Sequence, residues 1–354
     1  MKVSAILSEW YGLNKRKLPW RENVSPYHIW LSEIIMQQTR VSQGLEYYLK
    51  FTCKYPSVID LANAPIDDVL KLWQGLGYYT RARNLQSTAK TVVDQYEGFF
   101  PDTYEELLKL KGIGAYTAAA IASIAFKRPV ALVDGNVSRV ISRLFAMDLP
   151  VDSTAGITLI RQYASDILDT CQPDIHNQAL MEFGALVCLP RNPQCNSCVL
   201  SSICKARLQG LTHKLPVKKE KGKVRSRYFN YFFVRFKNIT FMRKRTGADI
   251  WHSLYEFPMI ETNSESTLLE IMISNPCDNF IAALEPMEIV HRVTYRHKLT
   301  HQTLICTFNT IEPRTLPVAG LSDYFEVRLD QIGKYAVPRV IDRYIKESLL
   351  ERMS

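Results

Sequence analysis

The chain has 354 residues, 47% of them hydrophobic, and its 44 Lys and Arg against 35 Asp and Glu leave a net charge of +9 and an isoelectric point near 9.0. A chain this long buries a large core without disulfides and suits two domains; it has no run of about 18 apolar residues that could cross a membrane, and its N-terminus, interrupted by Glu9, lacks a secretory signal. The expectation is a reducing, cytoplasmic protein whose excess cation favours polyanions, nucleic acid before an acidic membrane surface.

In chain order, the first half reads as helices. Ser25 followed by Pro26 supplies a cap and a first helical residue for a helix over 27–38. Glu33 lies on that helix, with Ile29, Trp30, Met36 and Gln37 three or four positions away. A carboxyl on such a stripe is partly desolvated and drawn towards a useful acid–base range. At the edge of the stripe it is only a glutamate facing water, and periodicity alone favours that placement. A helix over 65–72 runs into Gly75, Leu76 and Gly77.

Helices over 105–110 and 117–125 flank the segment from Leu110 to Tyr116. Gly112 and Gly114, one residue apart, permit a tight turn that bares backbone N–H groups at a helix start, a ready anion site. The turn is either a plain connector or a helix-hairpin-helix that grips DNA phosphate without reading sequence. Asp134 follows an apolar run and precedes a helix over 136–145, which makes it an N-cap or an Asp-Gly turn. Nothing local pairs it with Glu33.

Cys188, Cys195, Cys198 and Cys204 form the spacing C-x6-C-x2-C-x5-C. Structural zinc sites usually use two close pairs, and here only Cys195 and Cys198 are one, so an iron–sulfur cluster fits better than zinc or ordinary buried thiols. Cys53, Cys171, Cys277 and Cys306 are scattered. Residues 205–227 hold nine Lys or Arg against one acid, the composition of a linker or of a strap along a phosphate backbone. Beyond them, a strand over 228–236, a turn at Lys237 and Asn238 and a strand over 239–241 read as a hairpin. A further strand over 303–307 and helices over 266–273 and 340–352 make this part α+β.

LSEIIMQQTRV (31–41), WQGLGYYTRARNL (73–85), LKGIGAYTAAAIASIA (110–125), VDGNVSRV (133–140) and the four cysteines stand in one order. Together they closely resemble the MutY-type adenine DNA glycosylases of the endonuclease III superfamily, densely over residues 5–210 and more loosely beyond. The resemblance implies a mainly α helix-hairpin-helix glycosylase region over 1–204, with two helical subdomains, the hairpin at about 105–125 and a [4Fe-4S] loop over 188–204. It further implies a basic linker over 205–227 and an α+β Nudix-like lesion-recognition domain over 228–354.

The reaction implied is hydrolysis of the N-glycosidic bond of adenine opposite 8-oxoguanine, and less readily opposite guanine, after the base is flipped out of double-stranded DNA. By the same resemblance Glu33 protonates the leaving adenine and helps deliver water, and Asp134, beside Asn136, stabilises the sugar cation. Tyr116 stands where strand-cutting relatives carry a Schiff-base lysine, which implies a monofunctional enzyme. Trp20, Arg21, Met36, Gln178 and Met181 match the adenine pocket. Gln38, Thr39 and Leu76 match residues facing the lesion, and Tyr78 the wedge entering the stack. Gly112 and Gly114 would hold DNA backbone, and Lys111 between the helices is a possible phosphate contact. Cys188, Cys195, Cys198 and Cys204 would hold the cluster, whose role is to shape a DNA-contacting loop.

Residues 251–258 resemble the W-E-F-P segment of the family's Nudix-like domain, but the acidic hydrolase helix is absent, so nucleotide hydrolysis is not expected there. Relatives carry Phe-Ser-His in a hairpin loop that checks for 8-oxoguanine. Residues 294–298 are matched to that loop, with Tyr295 for phenylalanine, Arg296 for serine and His297 for histidine. A monomer, nucleoid-associated through DNA and without membrane contact, completes the expectation.

Overall fold

The computed structural model describes residues 3–219, 225–274, 289–313 and 323–349; Cys277, part of the basic linker and the end of the helix predicted over 340–352 lie outside them. Two compact units result, Met1–Ala64 with Asn84–Lys221 and Pro65–Arg83 with Gly222–Ser354. Among the described residues no helix is long and apolar enough to cross a membrane.

The first unit is helical. Its elements are α1 (Val3–Asn14), α2 (Pro19–Glu22), α3 (Pro26–Met36), α4 (Val41–Lys54) and α5 (Val58–Asn63), whose Ser57 and Asp60 form a capping box. After α6 (Ile66–Leu72), which belongs to the second unit, come α7 (Thr80–Tyr96), whose residues up to Arg83 also belong to the second unit, α8 (Tyr104–Lys109), α9 (Ala115–Ala120), α10 (Gly135–Leu144), α11 (Thr154–Asp166), α12 (Pro173–Leu186) and α13 (Lys205–Leu208). The Ser25 side chain accepts from His28 N, so α3 starts where the cap predicted. It ends at Met36, two residues short of the expected end, because Gln38 takes a left-handed conformation at φ 55°. The helix predicted over 117–125 begins earlier and changes character: α9 runs into a π-helical turn, Ile121–Ala125. α12 packs against α1, α10 and that turn, so residues far apart in sequence share one core.

α12 also buries His176 completely, and neither ring nitrogen finds a hydrogen-bond partner among the described residues. Burial lowers its pKa from 6.5 to about 4, against a small opposing effect of Asp169. The unfolded chain therefore takes up a proton between pH 6.5 and 4 that the folded chain refuses. Stability should fall by up to about 3 kcal/mol as pH drops through that window. His176→Phe should remove this slope and gain on the order of 1 kcal/mol at neutral pH, where two orphaned nitrogens disappear. Urea melts at pH 4 and 7 would read it; a variant with the parental slope rules the account out.

The second unit holds β1 (Arg225–Val234), β2 (Ile239–Lys244), β3 (Tyr255–Glu256), β4 (Met259–Thr262), α14 (Leu268–Ser274), β5 (Ile289–Lys298), β6 (Gln302–Ile311), β7 (Phe325–Arg328) and α15 (Arg339–Leu349). Its strands form one sheet of order β4-β1-β6-β5 and another of order β3-β2-β7. The hairpin predicted over 228–241 forms only at its tip: Phe236 and Ile239 bridge across the turn at Lys237 and Asn238, and the two strands then join different sheets. β1 is buried from Phe229 to Val234, and a strand buried on both faces takes an interior place, parallel to β6 and antiparallel to β4. Tyr231, Phe308 and Tyr344 stack through its core, Phe308 and Tyr344 with centroids 4.3 Å apart.

Candidate active site, cluster loop and lesion-facing turns

Tyr27, Ile29, Trp30, Leu31, Ile34 and Ile35 are all buried, so α3 has protein around most of its circumference. The open, water-facing edge that periodicity favoured for Glu33 is reduced to a half-buried one. Glu33 keeps an accessible face but is otherwise walled in. Burial raises its carboxyl from 4.5 to about 7; the Tyr116 hydroxyl, which donates to Oε2, opposes this, nearby Asp134 adds to it and Arg21 opposes it. Burial likewise holds the Tyr116 hydroxyl well above 10.

Asp134 is the N-cap that its sequence context predicted: Oδ1 accepts from Val137 N at 2.6 Å. It is also the charge felt by Glu33 and Tyr116, so cap and site coincide. Burial raises its carboxyl, while the Val137 N–H and the Asn136 amide, 2.8 Å from Oδ2, favour its anion. Two neighbouring carboxyls thus differ in kind. Glu33 has one hydroxyl donor and a pKa near neutrality; Asp134 has two donors fixed by a helix start.

The residues matched to the adenine pocket divide. Met181 lies 3.7 Å from the Tyr116 hydroxyl and so borders the two carboxyls. Arg21 is tied elsewhere, bidentate to Glu182, which Arg16 also clasps from its other side. Glu182 is 1% exposed and was missed by the sequence reading. The signal was there: an acid between Met181 and Phe183 in an apolar helix is as anomalous as Glu33. Trp20 is buried edge-on against Tyr48, as part of the core. Gln178 accepts from Tyr11, and Met36 packs over Gly44, where an added Cβ would meet its sulfur at 2.5 Å.

Gly112 and Gly114 lie exposed between α8 and α9, with Ile113 buried beneath them. Gly112 is required twice over: its φ is +77° and a Cβ would meet the Asn84 Cβ at 2.7 Å.

Cys188, Cys195, Cys198 and Cys204 line one cavity with Val140, Leu144, Phe183 and Arg143. Arg143 Nη1 donates towards Cys188 Sγ at 3.3 Å, and Cys204 Sγ donates to the Arg143 carbonyl at 3.5 Å. Burial and then the neighbouring thiols push Cys198 up to about 11, so four thiolates together require a cationic centre. Four sulfurs around one cavity are a soft donor set suited to a metal centre. Arg139, also missed in the sequence, joins this loop to the acids: it donates to the Cys188 and Gly184 carbonyls and to Asn136 Oδ1, while the Asn136 amide donates to Asp134.

In the second unit, Tyr78 is 49% exposed at the tip of a turn in which Gly75, Gly77 and Tyr78 all have positive φ. Leu76 is buried beside it, whereas Gln38 of the first unit is exposed and Thr39 half-buried. The match of residues 294–298 to the checking loop is corrected. They lie within β5, where Arg296 is exposed, Tyr295 is buried and His297 packs against Trp251. The register pairs Lys298 with Thr303, and Leu299 N donates to Gln302 O at 2.8 Å, so the hairpin turns at Leu299, Thr300 and His301. That triplet has the order apolar, hydroxyl, histidine of the Phe-Ser-His pattern, and Thr300 Oγ1 is hydrogen-bonded to the Tyr78 hydroxyl.

Residues 31–155 match the family described as HhH-GPD superfamily base excision DNA repair protein, and residues 230–347 match the NUDIX domain. The adenine DNA glycosylase of Buchnera aphidicola subsp. Baizongia pistaciae (strain Bp) is 35% identical over 305 residues, 84% of this chain and 82% of that protein. The adenine DNA glycosylase of Homo sapiens is 42% identical over 210 residues, 57% of this chain and 38% of the human one. Among solved structures, a thermostable thymine-DNA glycosylase is 30% identical with a TM-score of 0.54, covering 58% of this chain and 95% of its own. Identity at that level over most of both bacterial chains, on a fold whose hairpin and paired acids suit base removal, places this chain among the MutY-type adenine DNA glycosylases, adenine-specific enzymes of base excision repair.

Proposed function

We propose that the enzyme removes adenine standing opposite 8-oxoguanine, and less readily opposite guanine, and leaves an abasic site without cutting the strand. The observation that carries this reading is the pair of unlike carboxyls. Glu33, half protonated near pH 7, donates its proton to the flipped adenine as the C–N bond breaks and the bonding electrons leave with the base. The sugar is left short of electrons, and Asp134, whose anion the Val137 N–H and the Asn136 amide favour against burial, offsets that charge. The Glu33 carboxylate then accepts a proton from the water that adds to the sugar. Tyr116 holds Glu33 in place and has no amine to form a Schiff base, which supports a reaction without strand cutting.

Cys188, Cys195, Cys198 and Cys204 would hold a [4Fe-4S] cluster. Breaking a glycosidic bond moves no net electrons, so the cluster supplies shape to the loop rather than redox chemistry. The Gly112–Gly114 turn offers backbone N–H groups to DNA phosphate, and the excess cation of the chain suits that partner. Tyr78 and Thr300 support reading of the lesion strand: an exposed ring to fill a stack and a small hydroxyl to meet a base edge. The protein acts as a monomer.

The test is the purified enzyme on duplexes with adenine opposite 8-oxoguanine, treated with and without hot alkali. Breakage only after alkali is expected. Breakage without alkali would reveal a nucleophile other than Tyr116, and intact strands despite binding would mean a different target.

A further inference from the structure

We infer that Gln74 and Asp342 are positioning residues: their hydrogen bond seats the Gly75–Tyr78 turn against α15, and through that seat Tyr78 is held at the height where it meets Thr300. The inference rests on the lesion-reading role proposed above for Tyr78 and Thr300.

The turn needs such a seat. Gly75 has φ 103°, Gly77 φ 73° and Tyr78 φ 48°, and a left-handed tyrosine costs about 1 kcal/mol or more unless its surroundings enforce it. Some of the enforcement is internal: Trp73 Nε1 donates to Gly77 O at 3.0 Å, and Arg81 Nη2 donates to the Leu76 and Gly77 carbonyls. The rest comes from the approach to α15. Gln74 Nε2 donates to Asp342 Oδ1 at 2.8 Å, and Gln74 Oε1 accepts from Val337 N at 3.4 Å and Lys71 Nζ at 3.1 Å. Lys71 also donates to Tyr335 O, and the Tyr79 hydroxyl to Val337 O. The base of the turn is therefore held by residues 335–342 and its tip by Thr300.

Those two holds share one frame. Tyr344, two residues beyond Asp342, is fully buried and stacks on Phe308 of β6. β6 begins at Gln302, directly after the turn that carries Thr300. A shift of α15 relative to the base of the 75–78 turn would thus lift Tyr78 away from Thr300 without touching Glu33 or Asp134. Asp342 also accepts from Lys346 one helical turn on, an exposed pair that provides a control.

The experiment uses the full chain with Asp342→Ala, Asp342→Asn, Gln74→Leu and Lys346→Met. Hydrogen exchange in the free protein is followed at the amides of 75–79. Single-turnover excision, at limiting and at saturating enzyme, is followed on duplexes with adenine opposite 8-oxoguanine and opposite guanine. Asp342→Ala and Gln74→Leu should speed exchange at 75–79 but not in β6. They should weaken apparent affinity for the 8-oxoguanine duplex roughly tenfold, the worth of one charge-assisted hydrogen bond. The guanine duplex and the saturating rate should hardly move. Asp342→Asn, whose Oδ1 still accepts, should recover most of the loss, and Lys346→Met should match the parent. Unchanged exchange at 75–79 overturns the anchor. So does equal weakening on both duplexes that Asn fails to rescue, because that marks a general structural part. If the parent itself shows no preference for 8-oxoguanine, the lesion-reading role fails instead, and the exchange data alone then decide whether the anchor exists.

Discussion

Glu33→Gln stops adenine excision and at the same time makes the protein more stable at alkaline pH. The first effect follows from the chemistry: an amide cannot donate the proton that a departing adenine needs, and losing a positioned acid costs about two to four orders of magnitude. The second follows from linkage. Burial lifts the Glu33 carboxyl from 4.5 to about 7, so the folded chain keeps a proton that the unfolded chain releases between those values. Stability of the parent therefore declines as pH rises through the window, by on the order of 3 kcal/mol in all, and the decline is complete above about pH 7. Glutamine has the same shape, can still accept from Tyr116, and carries no charge to desolvate. The variant should match the parent near pH 4 and exceed it by that amount at pH 8.5. His176 titrates in part of the same range with the opposite sign, but it is common to both proteins and cancels in the difference. The matching kinetic signature is a parental excision rate that falls above about pH 7, where the acid is lost. Urea melts and single-turnover rates across pH 4 to 9 would measure both; a stability difference that does not change with pH would mean that Glu33 is not a buried carboxyl at all.

The residues from which this site is built were legible in the sequence to different degrees, and the reasons are physical. A cysteine spacing carries its meaning locally, because four thiols in one loop have few ways to be arranged; they do line one cavity. Asp134 was legible as an N-cap for the same reason: the bond from Val137 spans three residues. That it also lies near Glu33 was not, since the two are a hundred residues apart and only packing of α3 on α9 and the π-helical turn, and of α12 on that turn and on α10, brings them together. Glu33 itself falls between the two placements that periodicity allowed: it sits on the least buried edge of α3 but is half-buried there, because neighbouring elements cover most of the helix. The C-terminal strands were found, but β1 and β2 were paired as a hairpin because sequence neighbours are the simplest partners. The burial of both faces of β1 confines that pairing to its tip. The segment matched to the checking loop lies inside β5, four residues before the hairpin's turn, because a turn is fixed by cross-strand register, here Lys298 with Thr303. Arg139 and Glu182 were passed over because charged residues on helices are usually solvated; for Glu182 the apolar neighbours Met181 and Phe183 were a signal of burial, but nothing local named the arginines that balance it.

Glu182→Ala should be the most destabilising single change near the site. Its carboxylate is 1% exposed and is clasped by Arg16 and Arg21, with contacts of 2.6 and 2.8 Å. Truncation leaves Arg21, only 13% exposed, without its counter-charge, and breaking a buried pair from one side costs about 3 to 5 kcal/mol. Glu182→Gln should lose less, since it keeps the shape and part of the bonding. The pH signature separates the ion pair from packing. Burial pushes the Glu182 carboxyl up, but hydrogen bonds from both arginines outweigh it and bring it to about 2. A carboxyl depressed in this way lends stability that is fully present above about pH 4.5 and drains away towards pH 2, on the order of 3 kcal/mol in all. The glutamine variant should lack that acid slope. It should also move the enzyme's alkaline limb. Arg21 already lowers the Glu33 carboxyl slightly, and freed from Glu182 its charge is no longer balanced, so Glu33 should lose its proton at a lower pH and excision should begin to fall below pH 7. Acid melts and pH–rate profiles of parent and Glu182→Gln would test both at once. An unchanged acid slope would show that the arginines do not depress this carboxyl, whereas a lost slope with an unmoved alkaline limb would confine the clasp to stability and detach it from the proton on Glu33.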